Sequence, residues 1–369
     1  MENKIIVVDQ TIREGMQHKG IVFSYSQRQK ILAFQEKLNI DVCQAGYGPA
    51  HETEVQYLKQ LKQFSTKSKF KIAVAGMGRA VPEDAEILIK TGITDFHLHF
   101  HIQDALQKQK IFQPISESIN CIRNSVRNCV ISIAMLDIGR TSDSLMQEVI
   151  EHLSFDLCVD IISLPDTSGM MAPNLMFDKI YKAFEINKGS DTKISIHTHN
   201  DMGMANANAV MGIYAGASVL EASALGIGER NGIADLFVTA QTLKNLGFDL
   251  NIKTQDIETF RAYYQYINSI YEAQTGESIL NYNTPVFGDG VKSHVAGTHA
   301  VTSFGLHDNE EFFINVLCGT RLVEKYLKKE NILFDQSNLK EITENIKSES
   351  ARLKRRLYKN EIAEIARSK

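Results

Sequence analysis

His197-Thr198-His199 closes an apolar-flanked run, Lys193-Ile194-Ser195-Ile196. On an extended strand, side chains two residues apart leave on the same side, so both imidazoles can grip one divalent cation. A carboxylate from another strand suits the third position. The first apolar run, Ile5-Ile6-Val7-Val8-Asp9, leads into Gln10-Thr11-Ile12-Arg13-Glu14-Gly15-Met16-Gln17, where Glu14 is the candidate. Two imidazoles and a carboxylate, with other positions left to water or substrate, have the composition of a catalytic site rather than a closed structural one. Taken alone, His-x-His equally describes a surface or core pair.

The elements that must position these residues alternate regularly. Short apolar runs fall near Ile5–Asp9, Asp41–Ala45, Lys71–Ala75, Thr94–Phe100, Val130–Asp137, Asp160–Pro165, Lys193–His199 and Ser218–Leu225. Between them lie stretches of helical period: Ser26–Leu38, Glu52–Phe64, Pro82–Lys90, Ser144–Leu153, Pro173–Phe184 and Ala205–Ala215. Pro173 suits a first helical turn. Eight strand-helix units of about 30 residues predict an α/β fold, a (β/α)8 TIM barrel. An open doubly wound sheet is the alternative, but no G-x-G-x-x-G turn follows the first strand. A barrel demands that functional residues sit at the C-terminal ends of strands. Arg13 and Glu14 follow strand one, Gln44 ends strand two, Asp137 and Arg140 follow strand five, and Asp166-Thr167 follow strand six. His197 and His199 end strand seven, and Gly226 to Gly232 follow strand eight. The predicted division is a catalytic barrel over 1–275 and a small, mostly helical C-terminal region over 276–369, with helices at Glu311–Glu330 and Leu339–Leu357.

Composition fits an ordinary enzyme: 369 residues, 43% hydrophobic and 23% charged, can bury a large core. Net charge is −4, and basic residues cluster only at Arg352-Leu353-Lys354-Arg355-Arg356, which argues against a nucleic-acid partner. No apolar stretch approaches the about 18 residues needed to span a bilayer, and no cleavable leader is expected. Cys43, Cys121, Cys129, Cys158 and Cys318 show no C-x-x-C spacing and read as reduced core residues of a cytoplasmic protein.

Asp9-x-Thr11-x-Arg13-Glu14-Gly15-x-Gln17, His197-Thr198-His199-Asn200-Asp201-x-Gly203 and Gly226-x-Gly228-Glu229-Arg230-x-Gly232 resemble the three signatures of the DRE-TIM metallolyase superfamily. Within it they resemble the Claisen-condensing branch, which includes 2-isopropylmalate, citramalate and homocitrate synthases. His294-x-x-Gly297-x-His299, after Pro285-Val286-Phe287-Gly288, is similar to that branch's acyl-CoA segment. The Cys-containing loop that acyl-CoA lyases carry after strand eight is missing here.

The resemblance implies an acyltransferase dependent on Mg2+, Mn2+ or Zn2+, joining an acyl-CoA, with acetyl-CoA expected, to a 2-oxo acid and releasing CoA by hydrolysis. Glu14, His197 and His199 then hold the metal, and Arg13 stabilises the developing alkoxide, a task suited to a permanently charged guanidinium. Gln17 and Gln44 face substrate. Arg140 and Thr167 resemble the positions that hold the oxo acid's distal and proximal carboxylate regions, although Thr167 equally suits a helix N-cap. His299 is the expected base toward the acyl-CoA methyl group, with His294 as its partner. Gly226, Gly228 and Glu229 allow close approach of a phosphate-bearing cofactor or simply close a tight turn. Relatives of this kind are homodimers in which the C-terminal subdomain covers the partner's barrel. Carbon–carbon lyase or aldolase chemistry on the same metal, and a catalytically silent binding protein, are the alternatives.

Four departures from the family pattern stand out. Gln44 replaces a Glu, which predicts a less restrained Arg13. Leu225 replaces an Asn. Strand four ends His97-Leu98-His99-Phe100-His101 where the family has Ser/Thr-Ser-Asp, so these histidines could enter substrate recognition or a second metal site. Glu311-Phe312-Phe313 lacks the family's aromatic hydroxyl.

Overall fold

The computed structural model describes residues 4–101, 108–294 and 311–367. Eight parallel strands close into a barrel in sequence order: β1 (Ile6–Asp9), β2 (Val42–Tyr47), β3 (Ala73–Arg79), β4 (Asp95–His101), β5 (Val130–Leu136), β6 (Ile161–Asp166), β7 (Lys193–Thr198) and β8 (Val219–Ala222). Closure is made by β1 against β8, in the register Ile6 with Val219 and Val8 with Glu221. The expected (β/α)8 architecture is therefore present. β3 lies further along the chain than its apolar run, because Gly76 and Gly78 extend it. A Cβ at Gly76 would sit 2.8 Å from the Ile93 side chain, so the strand packs closely there against the segment before β4.

The first helical segments are α1 (Thr11–Gly15), α2 (Tyr25–Lys37), α3 (Glu52–Ser68), α4 (Pro82–Ile89) and α5 (Lys108–Ser125). They are followed by α6 (Asp143–Glu151), α7 (Pro173–Ile186), α8 (Ala205–Tyr214), α9 (Leu236–Asn245) and α10 (Ile257–Thr275). Local chemistry starts several of them. Ser24 and Gln27 form a capping box on α2, and Pro173 occupies the first turn of α7.

The barrel interior is layered. Val8, Ile161 and Val219, with Ile6, Val42 and Val130, form an apolar plug at the lower end. Two residues further along the chain from Val8, Val42, Val130, Ile161 and Val219, the residues Gln10, just past β1, and Gln44, Ser132, Ser163 and Glu221 are buried and line the cavity at the barrel mouth. Period two carries each strand from one layer to the next.

The chain divides into two compact units, Met1–Ile279 and Leu280–Lys369. The second pairs β9 (Ser293–His294) with β10 (Glu311–Phe312) and adds α11 (Thr320–Lys329), α12 (Leu339–Leu353) and α13 (Lys359–Arg367). Its core holds Leu322, Leu327, Ile342, Ile346 and Ile362. The helix expected from Glu311 begins only at Thr320, since Glu311 and Phe312 are taken into a strand and Gly319 stands before the first turn. All five cysteines are free, but only Cys43 and Cys318 are buried and Cys158 is exposed, which corrects the expectation that they are core residues. No described helix is long and apolar enough to cross a membrane.

Candidate metal centre and active site

The turn after β1 is built around Asp9. Its Oδ1 accepts from the Thr11 backbone N–H at 2.8 Å and from the Thr11 hydroxyl at 2.5 Å, and its Oδ2 accepts from Tyr263 at 2.8 Å. Burial raises the Asp9 pKa despite these bonds. The Thr11 hydroxyl in turn accepts from the Ala224 N–H at 2.8 Å, tying α1 to the end of β8. This linkage sets the direction in which α1 presents Arg13 and Glu14 to the mouth.

Among the described residues, Glu14, His197 and His199 form one group of potential ligands whose donor atoms all lie within 4.8 Å of one another. All three are buried. The two Nε2 atoms are 3.3 Å apart, a spacing natural for two ligands about 2.1 Å from a single cation. His199 Nδ1 has no hydrogen-bond partner, and Glu14 Oε2 takes nothing beyond its ion pair with Arg13. Burial, reinforced by His197, lowers the His199 pKa to about 3, so the ring is neutral and keeps a lone pair for a ligand bond. Burial pushes the Glu14 carboxyl up, but Arg13 and the two imidazoles pull it net below its usual value. The donor set fits a divalent cation.

One carboxylate of this centre was not singled out from the sequence. Glu221, inward on β8, lies 3.2 Å from His197 Nδ1 and accepts from Gln10 Nε2 at 2.6 Å and from Ser195 at 2.7 Å. Burial opposes its charge, yet the His197 and Ser195 bonds bring its pKa down to about 2. A carboxylate behind a ligating histidine fixes ring orientation and basicity. The available signal was a lone acid inside the apolar run Val219-Leu220-Glu221-Ala222.

Arg13 is more restrained than expected. Its Nε donates to Gln44 Oε1 at 2.5 Å, Nη1 to Gln17 at 2.9 Å and Nη2 to Gln10 at 3.2 Å, beside the Glu14 ion pair. Three amide oxygens replace the single carboxylate that Gln44 removes, and one Nη2 hydrogen stays available to the cavity. Gln44 Nε2 also lies 2.7 Å from His97 Nδ1, and Tyr47 Oη lies 3.0 Å from His99 Nε2. Burial, with Arg13 adding to it, lowers both histidines to about 4, so they are neutral. His97 and His99 face the mouth cavity, while His101 is exposed. Among the described residues they do not form a second ligand group.

The remaining candidates separate. Gln17, Gln44, Thr167 and Glu229 line the same cavity as the metal ligands. Thr167 Oγ1 accepts from the Asp137 N–H at 2.9 Å, leaving its own proton to donate. Arg140 does not join them. It pairs with Asp137 at 2.8 Å, its side chain is 70% exposed, and it borders a different hollow with Lys179 and Lys182. Asp137 sits at φ 72° before a 3-10 turn, and that left-handed step carries Arg140 away from the mouth.

Gly226 and Gly228 belong to a loop folded onto the metal ligand itself: a Cβ at Gly228 would stand 2.9 Å from Glu14 Cγ. The Glu229 N–H points at Glu14 Oε1 from 3.5 Å. Arg230 pins this loop to its neighbours through Asp201 at 2.7 and 2.9 Å and the Thr167 carbonyl at 2.6 Å. Leu225, where the family pattern has Asn, takes φ 58°, a conformation that Asn adopts more readily than Leu. His294 lies on β9, and its side chain, together with all of His299, falls outside the described residues.

The HMGL-like family pattern matches residues 4–263. The chain belongs to the HMGL-like family. Among members with known assignments, it is 26% identical over 355 residues to the 2-isopropylmalate synthase of Sulfolobus acidocaldarius, covering 94% of this chain and 90% of that one. It is 30% identical over 302 residues to the 2-isopropylmalate synthase of Saccharolobus solfataricus, covering 80% and 75%. A longer relative from Methanosarcina acetivorans matches at 29% over 316 residues, and the chain spans 56% of its length. In fold, this HMGL-like chain is similar to the HMG-CoA lyase of Brucella melitensis, with TM-score 0.62 at 15% identity over 73% of this chain and 99% of that one.

Proposed function

We propose that the chain is a metal-dependent acyltransferase that condenses an acyl-CoA, acetyl-CoA in the first instance, with a 2-oxo acid, water then cleaving the thioester to release the hydroxy acid and CoA. The observation that carries this reading is the buried convergence of Glu14, His197 and His199 beside a fully braced guanidinium. The relatives named as 2-isopropylmalate synthases point the same way.

Glu14, His197 and His199 would hold the cation, whose chemistry is to polarise the ketone of the bound oxo acid. Glu221 holds His197 from behind through a buried carboxylate. Arg13, kept in place by Gln10, Gln17, Gln44 and Glu14, aims its spare N–H at the oxygen on which negative charge develops, and needs no reorganisation as the charge appears. Thr167 donates toward the substrate carboxylate. Gly226, Gly228 and Glu229 shape the wall on which the thioester rests.

His299 is proposed as the base that takes the proton from the acyl methyl group, with His294 as its partner. We place it in the neighbouring protomer's site of a homodimer, consistent with a separate compact unit over Leu280–Lys369. Free cysteines fit a reducing cytoplasmic setting. The test is thiol release from acetyl-CoA against a panel of 2-oxo acids, with and without a chelator. Chelator-sensitive release supports the proposal; tight ligand binding with no release across the panel sinks it. Mixing Glu14→Ala with His299→Ala should restore part of the activity that each lacks alone.

A further inference from the structure

Among the described residues, the wall of the mouth opposite the candidate metal ligands holds no cation placed to receive a second carboxylate. Among the described residues lining this cavity of about 160 Å3, Arg13 is the sole Lys or Arg. It is already committed to Glu14 and three glutamine oxygens. Arg140, the position expected to bind a distal carboxylate, is turned away to Asp137. What stands there instead is Met77, Ala134 and Leu136, with two neutral histidines. A buried carboxylate without a partner is strongly disfavoured.

His99 and Leu136 also line a second hollow of about 300 Å3 on the α5 side of β4, whose described walls include Ala80, Val81, Phe100, Ile111, Pro114 and Ile115, with His101 beside Asp137 at its rim. Arg79 at its edge is engaged by Asp84 through Nε at 3.0 Å and Nη2 at 2.8 Å, so it offers no free charge. Described walls that are mainly apolar suit a hydrocarbon chain. They suit the pantetheine arm of CoA poorly, because its amides would lose hydrogen bonds to water without replacement. Tyr47, which lines the mouth, has its Oη 3.0 Å from Nε2 of His99, which lines both spaces.

We propose that the 2-oxo acid taken by this site carries an uncharged, extended side chain, which passes His99 and Leu136 into the apolar hollow between β4 and α5. This rests on the 2-oxo-acid reading above and names its substrate class.

The full chain, loaded with a divalent metal, is titrated calorimetrically with pyruvate, 2-oxoisovalerate, 2-oxohexanoate and 2-oxoglutarate, and thiol release is followed in parallel. The expected result is that 2-oxohexanoate binds at least about tenfold tighter than pyruvate or 2-oxoglutarate, the scale of a few buried methylenes. Ile111→Phe, which fills the hollow from α5, should remove most of that advantage. Equal or tighter binding of 2-oxoglutarate overturns the proposal. So does an Ile111→Phe variant that weakens acetyl-CoA and not the long-chain acid, because the hollow would then serve the thioester arm. If the binding order holds but no acid supports thiol release, the acyltransferase reading falls and this inference is supported.

Discussion

Five strands of the barrel change character within two residues. Val8, Val42, Val130, Ile161 and Val219 fill the lower interior, and Gln10, Gln44, Ser132, Ser163 and Glu221 succeed them above. The backbone is the same and the burial similar, yet one layer excludes water to stabilise the fold and the other holds polar groups in fixed orientation for chemistry. The upper layer persists because its groups satisfy one another: Glu221 takes Gln10, Ser195 and His197, and Gln44 joins Arg13 to His97. Damage to the two layers should therefore appear in different measurements.

The largest separation is expected from Glu14→Ala and His199→Ala. Each should lower thiol release on the order of a thousandfold and abolish stoichiometric metal retention, while circular-dichroism melting changes little. The reverse pattern belongs to the lower layer. Ile161→Ala should lose about 2–4 kcal/mol in urea unfolding through cavity formation, yet bind metal normally. If metal binding fell in parallel with stability, the layers would not be independent.

A smaller effect probes the seam between them. Glu221→Gln retains shape but removes the charge behind His197, and metal affinity by competition with a chelating dye should fall about 10- to 100-fold with a modest change in melting. Asp235, the N-cap of α9, is a buried carboxyl outside both layers. Burial holds its pKa at about 6 against bonds from Val238 and Tyr264. The folded state then keeps a proton that the unfolded chain releases near about 4. Folding stability consequently falls as pH rises from about 4 to about 6, and Asp235→Asn should flatten that slope in urea titrations at several pH values. The smallest change, Leu225→Asn, relieves a left-handed leucine and should add about 1 kcal/mol without altering metal affinity.

Most of the candidate metal centre was legible because its residues lie at fixed offsets within two short segments. His197 and His199 share a strand face by period two, and Arg13-Glu14 follow a strand end. Glu221 escaped because one acid in an apolar run carries no partner in its own segment; Gln10, Ser195 and His197 reach it only when β1, β7 and β8 are neighbours. Arg140 was legible as a strand-five residue but not in direction, since the left-handed Asp137 before it cannot be read from residue types.

The order of eight strand-helix units, the position of the candidate site at strand ends and the choice of candidate metal donors were determined by the linear sequence, because each depends on periodicity and residue type over a few positions. Tertiary structure alone decided that three glutamines brace Arg13, that Glu221 stands behind His197, and that a mainly apolar hollow lies beside His99. Each joins residues far apart in the chain, and only closure of the sheet sets the distances at which hydrogen bonds and excluded charge take effect.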